Sequence, residues 1–192
     1  MELGLNYSIS YRLASARCES LTLSCMNTFV ALDFETADSR RDSACAIGLV
    51  RVENNQIVDR AHYLIRPPRR QVFFTHIHGI RWHDVAHQPV FGEIWQIVEP
   101  LLKDADFIAA HNASFDQGVL YACCDAHRLP RPPHPFICTV QLARKTWNLH
   151  PTKLPNVCEF LNIALNHHQA LSDAEACAQI VIAANQKNNE FK

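Results

Sequence analysis

The sequence lacks a long apolar run and has no marked excess of charge of either sign. No uninterrupted apolar stretch approaches the roughly 18 residues of a transmembrane helix, which excludes a membrane-spanning helix. The 18 basic and 19 acidic residues give a formal net charge of −1, which argues against a general polyanion-binding surface. Internal repeats and low-complexity tracts are absent as well. A chain of 192 residues is long enough for one globular domain with its own core.

The eight cysteines form no C-x-x-C pair and no array with histidine at zinc-finger spacing, which excludes the usual structural zinc motifs. Five of them lie within apolar patterns, where a reduced thiol behaves as a small apolar side chain. We therefore predict reduced core thiols in a cytoplasmic protein, with a disulfide framework as the alternative. These five are Cys45, Cys123, Cys138, Cys158 and Cys177.

Residues 1–25 lack the continuous apolar segment of a signal peptide, and they show no period of 2 or 3.6 residues. Their arginines and serines resemble a transit peptide, but their glutamates oppose that interpretation. Met26 stands just before the first clear strand. We predict that residues 1–25 are an N-terminal extension, either poorly ordered or produced by a misassigned start, and that residues 26–192 form the domain.

From Met26 onward the pattern predicts an α/β domain with a mixed sheet, in which three antiparallel strands precede alternating strands and helices. Asn54-Asn55 suits a two-residue hairpin turn, because asparagine tolerates positive φ. Pro100 should shorten the last turn of its helix. Predicted strands cover residues 28–34, 45–53, 56–65, 107–110 and 136–138, and predicted helices cover residues 89–102, 114–126, 155–165 and 172–184.

The stretch FVALDFETAD, residues 29–38, is apolar like a buried strand until Asp33 and Glu35. Residues two apart in a strand point to the same face, so these carboxylates project together from the strand's end. The negative charge of a buried carboxylate has to be compensated by a positive charge or by hydrogen bonds. Two oxygen donors side by side suit a hard divalent cation. A polar strand end facing solvent is the alternative.

HNASFD, residues 111–116, follows a second apolar strand and opens a helix, which places Asp116 in the first helical turn. The helix dipole favours an aspartate there without any function. His111 has a plain alternative too, as a hydrogen-bonded residue that shapes the turn.

HQALSD, residues 168–173, repeats the arrangement before the last helix. Ser172 and Glu175 have the form of a capping box, which would place Asp173 at the helix start. His168 lies in the preceding loop, where a histidine is commonly only solvated, and its neighbour His167 makes it less distinctive.

Together, D-x-E, H-N-x-x-F-D and H-x-x-x-x-D in this order resemble the DEDDh (DnaQ-like) 3′–5′ exonucleases. That family has a ribonuclease H-like fold and includes the proofreading ε subunit of bacterial DNA polymerase III and oligoribonuclease. The resemblance runs from about Phe29 to Ala184 and includes a His78-Gly79-Ile80 loop. It implies a ribonuclease H-like mixed sheet, three antiparallel strands followed by parallel strands, with helices packed on both faces. Ile137-Cys138-Thr139 departs from the Asp-Thr of many members, at a position that is not a ligand.

The resemblance also implies a catalytic site of four acids and a histidine. The acids would hold two Mg²⁺ or Mn²⁺ ions, which carboxylates suit better than Zn²⁺ because no soft donor lines the site. The histidine would accept the proton of the attacking water. The acids are Asp33, Glu35, Asp116 and Asp173, and the histidine is His168.

The implied reaction releases nucleoside 5′-monophosphates from the 3′ end of a nucleic acid, with DNA favoured over RNA. We expect contacts to the terminal nucleotide from Thr36, His78, Asn112 and Phe115, with a core role as the alternative for Phe115. Arginines before and after the His78 loop would follow phosphates or simply form a solvated basic surface. These are Arg66, Arg69, Arg70 and Arg81.

Two alternatives remain at this stage. One is a 3′–5′ exoribonuclease or oligoribonuclease-like enzyme, which differs in substrate and not in chemistry. The other is a catalytically silent nucleic-acid-binding module, whose expected mark is loss of an acidic ligand or of the histidine. Association with a polymerase stays open, although the sequence ends soon after Asp173 and we expect no long C-terminal docking segment.

Overall fold

The computed structural model describes residues 28–189, so the predictions made for residues 1–25 lie outside the described part. Five strands form one sheet in the order β3-β2-β1-β4-β5. The first three are antiparallel neighbours, and β4 and β5 run parallel to β1. The strands are β1 (Thr28–Thr36), β2 (Ala44–Glu53), β3 (Gln56–Leu64), β4 (Phe107–Ala110) and β5 (Phe136–Cys138).

Seven α-helices accompany the sheet within the described residues, and a 3₁₀ turn at Glu99–Leu102 extends the third. Pro100 lies in this 3₁₀ turn, which confirms that it shortens the α-helix. The helices are α1 (Thr75–His78), α2 (Trp82–Val85), α3 (Phe91–Val98), α4 (Ser114–Ala126), α5 (Thr139–Trp147), α6 (Leu154–Leu161) and α7 (Ala170–Asn189).

The alternation of side chains along β1 separates two hydrophobic cores, one on each face of the sheet. Val30, Leu32 and Phe34 pack against α3 and α4, whereas Phe29 and Ala31 pack against α5, α6 and α7. Helices therefore cover both faces, and the predicted ribonuclease H-like mixed sheet is confirmed. The same alternation directs Asp33 and Glu35 toward the face that α7 covers.

Gly48 allows α7 to lie directly on the sheet. It is the β2 partner of Asp33, and a Cβ built on it would collide with the backbone of Ala170 and Leu171. Only a residue without a side chain lets the start of α7 approach so closely. The contact brings the first turn of α7, with Asp173, to the strand end that carries Asp33.

Several local predictions are confirmed and others are wrong. Asn54 and Asn55 both have positive φ, as the hairpin turn requires. Helix α5 was not predicted, although Val140, Ala143 and Trp147 recur at helical spacing in TVQLARKTW. Helix α6 ends at Leu161 and not near residue 165, because Asn162 adopts a left-handed conformation at the C-cap.

The capping box predicted at Ser172 is wrong. Helix α7 begins at Ala170, and the side-chain oxygen of Gln169 accepts a hydrogen bond from the Ser172 amide at 2.7 Å. The Ser172 hydroxyl instead accepts from the Asn166 amide, and Glu175 forms an ion pair with Arg60 of β3. Gln169 thus caps the helix in place of a serine.

The predicted core thiols are buried free cysteines at Cys45, Cys123, Cys158 and Cys177, and Cys138 is partly buried. Between residues 28 and 189, no helix combines the length and apolar character needed to cross a membrane.

Candidate active site

A cleft of about 740 Å³ opens where β1 and β4 end. Its floor contains the acidic residues of all three sequence motifs, and its walls come from α1, α4 and the loops before α6 and α7. Every site residue predicted from the sequence lies on this cleft: Asp33, Glu35, Thr36, His78, Asn112, Phe115, Asp116, His168 and Asp173.

Three of the four predicted acids converge closely. One carboxylate oxygen from each of Asp33, Glu35 and Asp173 lies within 4.8 Å of the other two. Asp116 is outside this group of three at that distance, and its Oδ1 accepts a hydrogen bond from the Phe34 amide at 3.1 Å. The hydrogen bond from the β1 backbone and the position of Asp116 on helix α4 therefore fix the fourth carboxylate beside the group.

Burial raises the pKa of all four carboxyl groups. Burial and the Asp173 and Asp116 charges raise the pKa of Glu35 to about 8. Burial raises the pKa of Asp116 to about 7, although the Phe34 amide opposes this. The pKa values of Asp33 and Asp173 are also raised, first by burial. Without a compensating cation, the cleft cannot hold four negative charges near neutral pH.

Asp173 has the environment most typical of a metal ligand. Its side chain is only 3% exposed, yet its Oδ1 has no hydrogen-bond partner within residues 28–189. A buried carboxylate oxygen without a donor is costly unless a cation compensates it. The donor set of carboxylate oxygens is the one that hard divalent cations prefer, so the residues present fit a cation such as Mg²⁺ or Mn²⁺.

The loop before α7 brings two histidines to Asp173. The Nδ1–H of His167 donates to Asp173 Oδ2 at 2.9 Å, and the backbone amide of His168 donates to the same oxygen at 3.1 Å. His168 has a φ of 65°, in the left-handed region, and its ring stacks on that of His167 with centroids 3.8 Å apart. The contact of His167 with Asp173 was not predicted, since the sequence analysis treated His167 only as a neighbour of His168.

The environment of His168 suits a proton acceptor. Desolvation and the neighbouring His167 lower the pKa of its imidazole from the ordinary value of 6.5. A lowered pKa keeps the ring neutral near pH 7, which is the form that accepts a proton.

His78 and Thr36 form one connected unit on the cleft wall. His78 Nε2 donates to the Thr36 carbonyl at 3.2 Å, and its Nδ1 accepts from the Ile80 amide at 3.1 Å. Burial lowers the pKa of His78, consistent with a neutral ring bonded at both nitrogens. Its ring thereby attaches helix α1 to the end of β1.

Asn112 and Phe115 lie on the opposite wall. Asn112 is exposed with a φ of 63°, and the Phe115 side chain is 37% exposed. The core role considered for Phe115 is therefore wrong, because its ring faces solvent beside the cleft. The guanidinium of Arg41 lies 5.0 Å from the centre of this ring and donates to the Phe115 carbonyl at 2.6 Å.

His111 has the plain structural role considered for it. Its Nε2 donates to the Thr152 carbonyl at 3.0 Å, so its Nδ1 accepts from the Thr139 hydroxyl at 2.8 Å. Burial lowers the pKa of His111 to about 4, which leaves the ring neutral. The histidine joins the end of β4 to α5 and to the loop before α6.

The phosphate-tracking role considered for the arginines near residue 70 is not supported at two positions. Arg69 forms ion pairs with Asp38 and Asp42, which hold the loop between β1 and β2. Arg70 lies over the ring of Trp82 at 5.7 Å. The cleft-lining arginines are Arg40 and Arg41, which the sequence analysis missed because neither belongs to a motif.

The sequence of the chain is similar to those of known exonucleases. A sequence model described as exonuclease (RNase T type) matches residues 30–181. The chain is 34% identical over 159 residues to the DNA polymerase III PolC-type protein of Thermotoga maritima, covering 81% of this chain and 12% of that protein. It is 28% identical over 169 residues to the 3′-5′ exonuclease DinG of Staphylococcus epidermidis, covering 83% and 18% respectively. The chain thus spans a small part of the length of these curated relatives.

Solved structures of exonucleases have a similar fold. Exonuclease X in complex with 5′-overhanging duplex DNA is 26% identical with a TM-score of 0.69, covering 84% of this chain and 93% of that one. The nuclease domain of 3′hExo, a DEDDh family member bound to rAMP, is 19% identical with a TM-score of 0.73, covering 84% and 92%. At that lower identity the likeness concerns the fold alone.

Proposed function

Because the chain belongs to the exonuclease family, in its DEDDh (DnaQ-like) group, we propose that it is a 3′–5′ exonuclease dependent on divalent metal ions. The observation that carries the proposal is the convergence of Asp33, Glu35 and Asp173 within 4.8 Å, with Asp116 fixed beside them. Helix dipoles or solvation could explain each acid singly, but they do not explain three carboxylates enclosed together. The presence of all five motif residues also disfavours a catalytically silent binding module.

The four carboxylates would hold Mg²⁺ or Mn²⁺, two ions per site. When bound, such ions supply a water of lowered pKa and stabilise the charge on the departing 3′ oxygen. The chain's own contribution is to hold the acids in place before binding. The β1 register fixes Asp33 and Glu35, the Phe34 amide orients Asp116, and the Gly48 contact brings Asp173 to them.

His168 is the proposed general base. Its neutral imidazole would take the proton from the attacking water, and the left-handed backbone at this residue directs the chain so that the ring lies on the cleft. His167 occupies the Asp173 side of the pair and supports the ring of His168 by stacking. The two histidines therefore have separable roles, one toward the water and one toward the carboxylate.

The walls of the cleft would position the 3′-terminal nucleotide. The exposed ring of Phe115 offers a stacking surface, and Arg41 beside it offers a positive charge to a phosphate. Asn112 offers an amide, and the His78–Thr36 unit shapes the opposite wall. Nucleoside 5′-monophosphates would be the products.

DNA is the favoured substrate. Exonuclease X, a matched structure at 26% identity, is in complex with 5′-overhanging duplex DNA, and one matched relative at 34% identity is a DNA polymerase III PolC-type protein. The similarity to PolC leaves a polymerase partner open for this chain.

The test is degradation of matched 3′-labelled and 5′-labelled DNA and RNA oligonucleotides by the purified chain, with Mg²⁺, Mn²⁺ or chelator. We expect mononucleotides from the 3′ end, a higher rate on DNA, and no cleavage with chelator. Cleavage that persists in chelator, or that proceeds only from the 5′ end, contradicts the proposed function. Faster cleavage of RNA than of DNA would agree with the proposed reaction but would show that RNA is the preferred substrate.

A further inference from the structure

The loop before α7 places two imidazoles and a carboxylate together, apart from the all-carboxylate group. One ligand atom from each of His167, His168 and Asp173 lies within 4.8 Å of the other two. Both histidines are exposed, and Asp173 is buried. This set, called the histidine-pair site below, shares Asp173 with the group formed by Asp33 and Glu35.

Local hydrogen bonds hold this arrangement. The backbone amide of His168 donates to Asp173 Oδ2, and the Asn166 amide donates to the Ser172 hydroxyl at 2.8 Å. The Gln169 side chain caps the helix that carries Asp173. The loop is thus bonded at three points to the first turn of α7, so the donors of both histidines are brought together before any ligand arrives.

The other two histidines on the cleft do not offer donors in this way. His78 and His111 each use both ring nitrogens in hydrogen bonds to their surroundings. His167 uses one nitrogen, toward Asp173. Within residues 28–189, no hydrogen bond from the His168 ring accompanies its stacking on His167.

A simple hydrogen bond between His167 and Asp173 accounts for part of this geometry. It does not account for the second imidazole, which lies over the first and offers a ligand atom within 4.8 Å of those of His167 and Asp173. A cation with affinity for nitrogen and oxygen donors accounts for this convergence.

We propose that His167, His168 and Asp173 bind Zn²⁺ at the rim of the cleft. Two imidazoles and one carboxylate are a donor set that Zn²⁺ takes in proteins, with a fourth position open to water. Mg²⁺ prefers oxygen donors, so the two overlapping groups select different ions. The sequence motifs do not indicate this donor set, because His167 lies outside them.

Zinc binding requires only a small rearrangement of the His167, His168 and Asp173 side chains. Zn²⁺ replaces the proton on His167 Nδ1, and that proton passes to solvent. The Nδ1–Oδ2 distance of 2.9 Å has to widen to about 3.3 Å, the separation of two tetrahedral ligands at ordinary zinc bond lengths. The two rings have to fan apart from their stacked position, which rotation about the side-chain bonds allows.

Zinc at this site acts as an inhibitor, and this consequence rests on the proposed function. Asp173 cannot serve both groups fully, and the ring of His168 cannot accept a proton while it is bound to a cation. Occupancy of the histidine-pair site therefore withdraws one carboxylate and the base from the reaction.

The binding test is calorimetric titration of Zn²⁺ into the full chain in excess Mg²⁺, for wild type, His167→Gln, His168→Gln and His87→Gln. His87 is an exposed histidine away from the cleft and is the matched control. We expect each of the first two substitutions to weaken zinc binding about tenfold or more and the control to bind like wild type. Unchanged affinity in both His167→Gln and His168→Gln overturns the site, and circular dichroism verifies that each variant is folded.

The inhibition test measures single-turnover cleavage against zinc concentration, with each protein compared with its own zinc-free rate. We expect His167→Gln to need about tenfold more zinc for half-inhibition than wild type or His87→Gln. Equal half-inhibitory concentrations overturn the inhibitory role. If the wild type cleaves no nucleic acid even without zinc, the proposed function fails while the calorimetric result still decides the binding site.

Discussion

The candidate site has two halves that are built differently. The strand half consists of Asp33, Glu35 and Asp116, which are fixed by sheet register and by the Phe34 amide. The loop half consists of His167, His168 and Asp173, which are gathered by a short loop with a left-handed residue. One half offers only carboxylate oxygens, and the other adds two imidazoles.

This difference assigns different tasks to the two halves. Carboxylates enclosed together in a buried site, with pKa values raised first by burial, gain most from a bound cation that offsets their repulsion. An exposed imidazole with a lowered pKa is neutral at pH 7 and can accept a proton. We therefore expect substitutions in the strand half to affect metal binding and those at His168 to affect the chemical step.

Asp33→Asn should give the largest loss. The amide removes a charge from the group that gathers the cation, so cleavage should fall below detection, beyond the loss of about 10²–10⁴-fold typical of removing a general base. Single-turnover cleavage of a 3′-labelled oligonucleotide in saturating Mg²⁺ measures the effect. Asp59→Asn, on the exposed edge strand β3, is the control and should cleave normally. A cleavage rate for Asp33→Asn close to that of this control would contradict a role in metal binding.

His168→Ala should slow single-turnover cleavage by roughly 10²–10⁴-fold. The wild-type rate should also fall at acid pH, because a protonated imidazole cannot act as a base. Since the pKa of His168 is lowered, this fall should occur below pH 6.5, the ordinary pKa of histidine. His87→Ala, at an exposed histidine away from the cleft, is the matched control and should cleave like wild type. Full activity in His168→Ala would mean that His167 or another group accepts the proton.

Gly48→Ala should weaken the junction between the two halves. A methyl group there meets the backbone of Ala170 and Leu171, and overpacking of this kind costs about 1–3 kcal/mol. We expect a lower Tm together with slower cleavage, since Asp173 moves with the start of α7. Gly92→Ala meets only the side chain of His127, which can turn away, so it should change both quantities less. Equal effects of the two substitutions would show that the close approach at Gly48 is unimportant.

The remaining expected effect is on the stability of the metal-free protein. The pKa of Glu35 rises from 4.5 to about 8 on folding, so the folded state binds its proton more tightly than the unfolded state. The stabilisation is complete below pH 4.5 and is lost as the pH rises toward 8. Thermal unfolding in chelator should show a Tm that falls across this range, less steeply in Glu35→Gln. Identical pH dependence in both proteins would show that Glu35 is not enclosed as described.

Much of the strand half was predictable from sequence. An apolar strand that ends in D-x-E places two carboxylates on one face because side chains alternate, and HNASFD places Asp116 where a helix begins. The parallel pairing of β1 with β4 then brings these ends to one edge of the sheet. Local pattern and simple geometry suffice for this part.

The loop half was less predictable. The predicted capping box at Ser172 is wrong because Gln169 caps the helix three residues earlier than expected. The contact between His167 and Asp173 depends on the left-handed conformation of His168, which no short pattern indicates. Gly48 lies far from every motif in sequence, and its effect on α7 appears only when the sheet and helix are packed together.

Calorimetric titration of Mn²⁺ into wild type, Asp33→Asn and His168→Ala tests the division between the halves most directly. We predict that His168→Ala binds Mn²⁺ nearly as tightly as wild type, although it cleaves slowly, and that Asp33→Asn binds it much more weakly. Such a result separates metal binding by the carboxylates from proton transfer by His168. If His168→Ala loses Mn²⁺ as severely as Asp33→Asn, the histidine is a ligand and the division is wrong.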